Sequence, residues 1–141
     1  MRHRGSVSQI NKDRNKTIIY LYRKALDMLP WPTTQQEICE KIAILPTPQF
    51  YISFDTALYY VRCRYYQKQE KQFLNEYKQR LFDAFFNRFL ELVENPSYRN
   101  YKMKTLINMA LDSPAPCLGM SPWMIYDFLR KHRRERKIKK R

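Results

Sequence analysis

Pro46-Thr47-Pro48-Gln49-Phe50-Tyr51-Ile52-Ser53 recurs 68 positions later as Pro114-Ala115-Pro116-Cys117-Leu118-Gly119-Met120-Ser121. Both prolines, two apolar positions and the serine keep their register. An apolar-periodic segment precedes each copy (Ile38, Ile42, Leu45; Leu106, Ala110, Leu111), and another follows it (Ala57, Tyr60, Val61; Ile125, Phe128, Leu129). Each half therefore reads as helix, proline loop, helix, and Arg62 and Arg130 fall at matching positions. Self-similarity at a fixed spacing is the mark of one supersecondary unit used twice.

The rest of the chain is punctuated in the same way. Glycine occurs only at Gly5 and Gly119, and the eight prolines gather at 30–32, 46–48, 96, 114–116 and 122. Proline lacks the amide proton and clashes with the preceding turn, so these clusters mark helix ends. A first helix is expected from about Lys16 to Met28, with Ile18, Ile19, Tyr22, Ala25, Leu26 and Leu29 inward. Thr34-Gln35-Gln36-Glu37 has the spacing of a capping box and opens a second helix that runs to Leu45. Ser53 and Ser121 are placed to cap the third helix of each half, and Pro122 suits the first helical position.

From Phe54 to Glu94 there is neither glycine nor proline. A bend or break is expected near Gln67 to Gln72, where apolar residues vanish. Leu81, Phe82, Phe85, Phe86, Phe89, Leu90 and Val93 then form a segment apolar on more than one stripe, hence deeply buried. Asn95-Pro96-Ser97 is read as opening the next helix, through Leu111. No segment has the alternation of a strand. The fold class is all-α, as tandem trihelical units joined by a long helix. The expected divisions are a disordered basic arm at 1–15, a first unit at 16–66, a connecting helix at 67–80, a second unit at 81–130 and a basic tail at 131–141.

Charge is distributed unevenly. Of the net +14, residues 1–16 carry +4 and residues 130–141 carry +8, which leaves +2 for everything between. A near-neutral middle with basic ends favours a polyanion, because each phosphate neutralised releases condensed counterions. Solubility, anionic lipid or an acidic protein are the other uses of such a tail. The tail is basic on nearly every helical face, so it is expected to stay solvated until a polyanion orders it.

Residues 34–64, and more loosely 98–132, resemble helix-turn-helix DNA-binding proteins. The resemblance implies that the helices beginning after Ser53 and Ser121 lie in a major groove. The linker Pro46–Ile52 has seven residues, where that motif has a turn of three or four. On this reading Thr56, Tyr59 and Arg62 face nucleic acid from the first reading helix, and Arg130 and Lys131 from the second. Phosphate contacts are assigned to Arg133, Arg134, Arg136, Lys137, Lys139 and Lys140. Tyr59, Tyr60, Tyr65 and Tyr66 interleave with Arg62 and Arg64 and could stack bases, although aromatics at helical spacing more often build cores.

Other chemistry has little support. His3 and His132 lie in basic arms, and Glu135, not an arginine, stands three positions after His132, against the pattern of a strand-transfer recombinase. Phosphate-loop glycines are missing. Cys39, Cys63 and Cys117 have no zinc-type spacing and read as thiols in a reducing compartment. The expectation is a non-enzymatic protein without metal, cofactor or small-molecule substrate, binding DNA ahead of RNA. Protein partners or self-association are its alternative. No segment suits a signal peptide or membrane span, so the expected location is the cytoplasm or a virion.

Overall fold

The computed structural model describes residues 7–69, 73 and 75–139, with side chains through Glu135. Six α-helices follow one another: α1 Val7–Met28, α2 Gln35–Ile44, α3 Phe54–Val61, α4 Glu76–Glu94, α5 Met103–Leu111 and α6 Pro122–Lys139. No strand occurs among the described residues, and none of their helices is long and apolar enough to cross a membrane.

Helix starts follow the caps. The Thr34 hydroxyl accepts from Glu37 N at 3.1 Å, Ser53 from Thr56 N at 3.3 Å and Ser121 from Met124 N at 3.4 Å. Each satisfies an amide that the first turn leaves without a partner. Thr34 makes only half of the capping box, since the Glu37 carboxylate accepts from the Thr33 hydroxyl at 2.9 Å. Asn75 caps α4, accepting from Tyr77 N and Lys78 N.

Two apolar cores are formed, and each mixes the halves of the chain. One joins Ile18, Leu21 and Ala25 of α1 to Ile38, Cys39, Ile42 and Ala43 of α2, and is closed by Ile125 and Leu129 of α6. The other joins the α4 phenylalanines to Leu106, Ile107, Ala110 and Leu111 of α5, and is closed by Ala57, Tyr60 and Val61 of α3. Helix α6 thus packs on α2 and α3 on α5, while α1 pairs with α2 and α4 with α5. Divisions at 16–66 and 81–130 follow the chain, whereas the cores exchange the third helix of each half.

The buried positions of the two halves coincide under fixed shifts. A shift of 64 carries Ile18, Leu21 and Ala25 onto Phe82, Phe85 and Phe89. A shift of 68 carries Ile38, Cys39, Ile42 and Ala43 onto Leu106, Ile107, Ala110 and Leu111, and Ala57 and Val61 onto Ile125 and Leu129. The 3-10 turn Pro96–Tyr98, which lies between α4 and α5, accompanies the change of shift. At the middle of the molecule the two proline loops meet: Thr47 N donates to Ala115 O and Ala115 N to Thr47 O, both at 3.0 Å. This antiparallel bridge joins residues that the 68-position shift makes equivalent.

Four expectations are corrected. Residues 7–15 are not a disordered arm but the first turns of α1, where Ile10 is buried and extends the Ile18–Leu21–Ala25 stripe backwards. Residues 1–6 lie outside the described residues. Leu26, expected inward, is 39% exposed because that stripe centres on Leu21. Of the connecting helix at 67–80, the described residues are helical from Glu76 onward, while Gln67–Gln69, Phe73 and Asn75 are not. The helix expected to open at Asn95 is a 3-10 turn, and α5 begins only at Met103.

Gly119 marks a position with no tolerance. Its φ is +79°, and a Cβ there would lie 2.5 Å from Leu81 Cδ2. Gly119→Ala is expected to destabilise the fold by about 2 kcal/mol, combining left-handed strain with displacement of a core leucine. Chemical denaturation checks this, and an unchanged midpoint would contradict it.

Candidate nucleic-acid interface

Helix α6 brings Arg130, Lys131, Arg133 and Arg134 together within five positions. Trp123, Tyr126, Arg130, Arg133 and Arg134 recur at three- and four-residue intervals, which places them along one helical stripe. The Trp123 and Tyr126 rings stack at 5.6 Å between centroids. Trp123 is 72% exposed. Further along, Gln35, Tyr126, Leu129, Arg130, Arg133 and Arg134 line an open cleft of about 220 Å³ between the start of α2 and α6.

Arg133 is fixed at the floor of this arrangement. Its guanidinium donates to the Tyr22 hydroxyl at 3.0 Å and to Gln35 Oε1 at 3.1 Å, and it lies over the Tyr22 ring at 5.8 Å. Those partners are neutral, so its charge is not cancelled. A guanidinium held by two of its donors keeps others to offer, in the planar fork that suits phosphate. Asp127 bridges Arg130 and Lys131, each at 3.0 Å. The hydrogen bond from Lys131, followed by that from Arg130, holds the Asp127 carboxyl below its ordinary range despite opposing desolvation. Asp127 therefore stays ionised and offsets part of the charge at the foot of the tail.

Arg130, Arg133 and Arg134 come together at the cleft, while Lys131 turns to Asp127. Arg136, Lys137 and Lys139 continue α6, so the tail through 139 is helical where an unordered segment was expected. Three things favour that: arginine and lysine are good helix formers, cations complement a helix C-terminus, and Asp127–Lys131 is an i,i+4 pair. Lys140 lies outside the described residues.

Thr56, Tyr59 and Arg62 sit on the other core, and all three are exposed. The Thr56 hydroxyl accepts from Ser53 Oγ at 2.7 Å and is part of the cap. Tyr59 titrates above its ordinary value, chiefly through a hydrogen bond with Cys63. Past Val61 the helix widens into a π turn, Arg62–Tyr66, closed by Gln67 N to Arg62 O at 3.1 Å. Arg62, at the end of α3, is exposed, while in the wider turn beyond it Arg64 and Tyr65 both reach α4. Arg64 bonds the Tyr60 hydroxyl and Asp83 and lies 4.4 Å from the Phe86 ring centre, and Tyr65 meets Phe89 edge-on. Tyr60 is buried between Phe82 and Phe86, which assigns it to the core and not to base stacking. Tyr59 and Tyr66 remain exposed.

Sequence reasoning missed Tyr126, Gln35 and Tyr22. The spacing of Tyr126 from Arg130 is a readable signal, whereas Gln35 and Tyr22 reach the site only through packing of α1, α2 and α6. Cys39 and Cys117 are buried free thiols whose pKa burial pushes upward, and no metal-holding group of His, Cys, Asp or Glu occurs among the described residues. No protein family matches this chain, and no curated protein or solved structure is significantly similar to it.

Proposed function

We propose that this protein binds nucleic acid, DNA ahead of RNA, as a helix-loop-helix protein built from one unit used twice, in a regulatory, mobile-element or phage setting. Its place is the cytoplasm or a packaged particle. The observation that carries the reading is the α6 stripe, in which a stacked Trp123–Tyr126 pair runs into Arg130, Arg133 and Arg134 around a cleft with no lining carboxylate among the described residues. Arginines beside exposed aromatic faces supply both phosphate contacts and stacking surface. Arg136, Lys137, Lys139 and Lys140 add further cations for phosphate contacts.

The test is direct titration of a labelled duplex of about 20 base pairs, with log affinity falling linearly against log salt. Absence of binding at low salt overturns the reading. A second reading, an assembly protein of a phage particle or ribonucleoprotein, draws on Trp31 at 87% exposure and Trp123 at 72%. Self-association on a sizing column without nucleic acid distinguishes it.

A further inference from the structure

We propose that the chain holds two equivalent phosphate-gripping clefts, centred on Arg62 and Arg130, and that one nucleic-acid duplex engages both. The inference rests on the nucleic-acid reading above and adds to it a second site and the two-fold form of the ligand.

The second cleft, of about 460 Å³, opens between the end of α3 and the start of α5 and is lined by Leu58, Arg62, Tyr66, Gln67, Met103 and Lys104. Under the 68-position shift Leu58 falls on Tyr126, Arg62 on Arg130 and Tyr66 on Arg134, and Gln35 falls on Met103. Four of its lining positions thus reproduce the first cleft. The cause is the exchange of third helices. Where α6 meets the start of α2 one cleft forms, and where α3 meets the start of α5 the same junction forms with the halves interchanged. The Thr47–Ala115 bridge lies between the two loops, pairing equivalent residues antiparallel as a local two-fold axis requires.

The chemistry of the two clefts matches in kind and differs in strength. Arg62 and Lys104 give the second cleft two cations, and no carboxylate lines it among the described residues. Tyr59 stands where Asp127 stands in the other half, so among the described residues the Asp127–Arg130 pair is not repeated between the equivalent positions 59 and 62. The second cleft also lacks a second arginine, because Tyr65 and Tyr66 occupy the places of Arg133 and Arg134. Cleft one is the stronger grip and cleft two the weaker. A duplex presents backbones related by local dyads, and a chain with two like sites shares that symmetry. A single strand has no such dyad.

The experiment uses the full chain with Arg62→Gln, Arg130→Gln and the double substitution, and a duplex and a single strand of equal length. Melting curves for each variant verify the fold. Each single variant is expected to weaken duplex binding by about fivefold and to make the salt slope shallower by about 1, and the double variant by about 2. The wild-type duplex is expected to bind more tightly than the single strand, with one chain per duplex site. If Arg62→Gln binds duplex like the wild type while Arg130→Gln is weakened, the two-site proposal fails and the nucleic-acid reading stands. Equal losses on single strand and duplex overturn the two-fold element. A wild-type chain that binds neither overturns both this proposal and the function beneath it.

Discussion

Removal of residues 131–141 is expected to weaken duplex binding by more than about 1,000-fold at low salt and to flatten its salt dependence. If Arg133, Arg134, Arg136, Lys137, Lys139 and Lys140 each neutralise one phosphate, the slope of log affinity against log salt becomes shallower by about 5. The gap between the full and shortened chains therefore narrows as salt rises. Over a fourfold increase in salt, it closes by a factor on the order of 1,000. The fold should survive the cut, because Leu129, the last described residue of the core, is retained. What is lost structurally is the bonding of Arg133 to Tyr22 and Gln35, the Lys131–Asp127 pair and the stacking of His132 on Phe128, none of them part of the apolar core. Parallel salt plots for the two chains would remove the tail from the mechanism.

Phe85→Ala is expected to destabilise the protein by about 3–5 kcal/mol, the ordinary range for emptying a phenylalanine site in a core that relaxes only partly. Phe85 is fully buried on α4 and meets Phe50 edge-on, with ring centres 6.0 Å apart. It therefore anchors the first proline loop as well as α4, since Phe50 N also donates to Leu111 O at 2.9 Å. Against a total stability of roughly 5–15 kcal/mol, the loss is a large fraction. Urea unfolding followed by circular dichroism measures it, with Phe85→Leu as a milder companion expected to lose about 1 kcal/mol. A loss below about 1 kcal/mol for the alanine variant would mean that this core is not the continuous cluster described.

The candidate site on α6 was legible in its charge but not in its shape. Arg130, Arg133 and Arg134 stand out in the sequence because cations crowd the end of the chain, and their spacing alone puts them on one helical stripe. That the stripe opens onto Gln35, with Arg133 pinned by Tyr22, depends on α6 crossing to a hairpin about a hundred positions earlier. The tail was misread for a definite reason. Low hydrophobicity and high charge signal disorder in an isolated segment, but 131–139 prolong a helix already nucleated and packed from Pro122, and propagation is far easier than nucleation.

Local chemistry settled the elements. Prolines at 30–32, 46–48 and 114–116, and hydroxyl caps at Thr34, Ser53 and Ser121, bound helices whose apolar spacing leaves no place for a strand. Those signals act over a few residues and can be read without knowing what lies across the molecule. Which helices pair is a different matter, because the apolar faces of α3 and α6 could close the hairpin of either half equally well by pattern. The exchange emerges only in three dimensions, where the Thr47–Ala115 bridge joins the two loops and Tyr60 of α3 packs against Phe82 and Phe86 of α4. The partners that line the clefts at Arg62 and Arg130, α5 and α2 respectively, follow from that exchange.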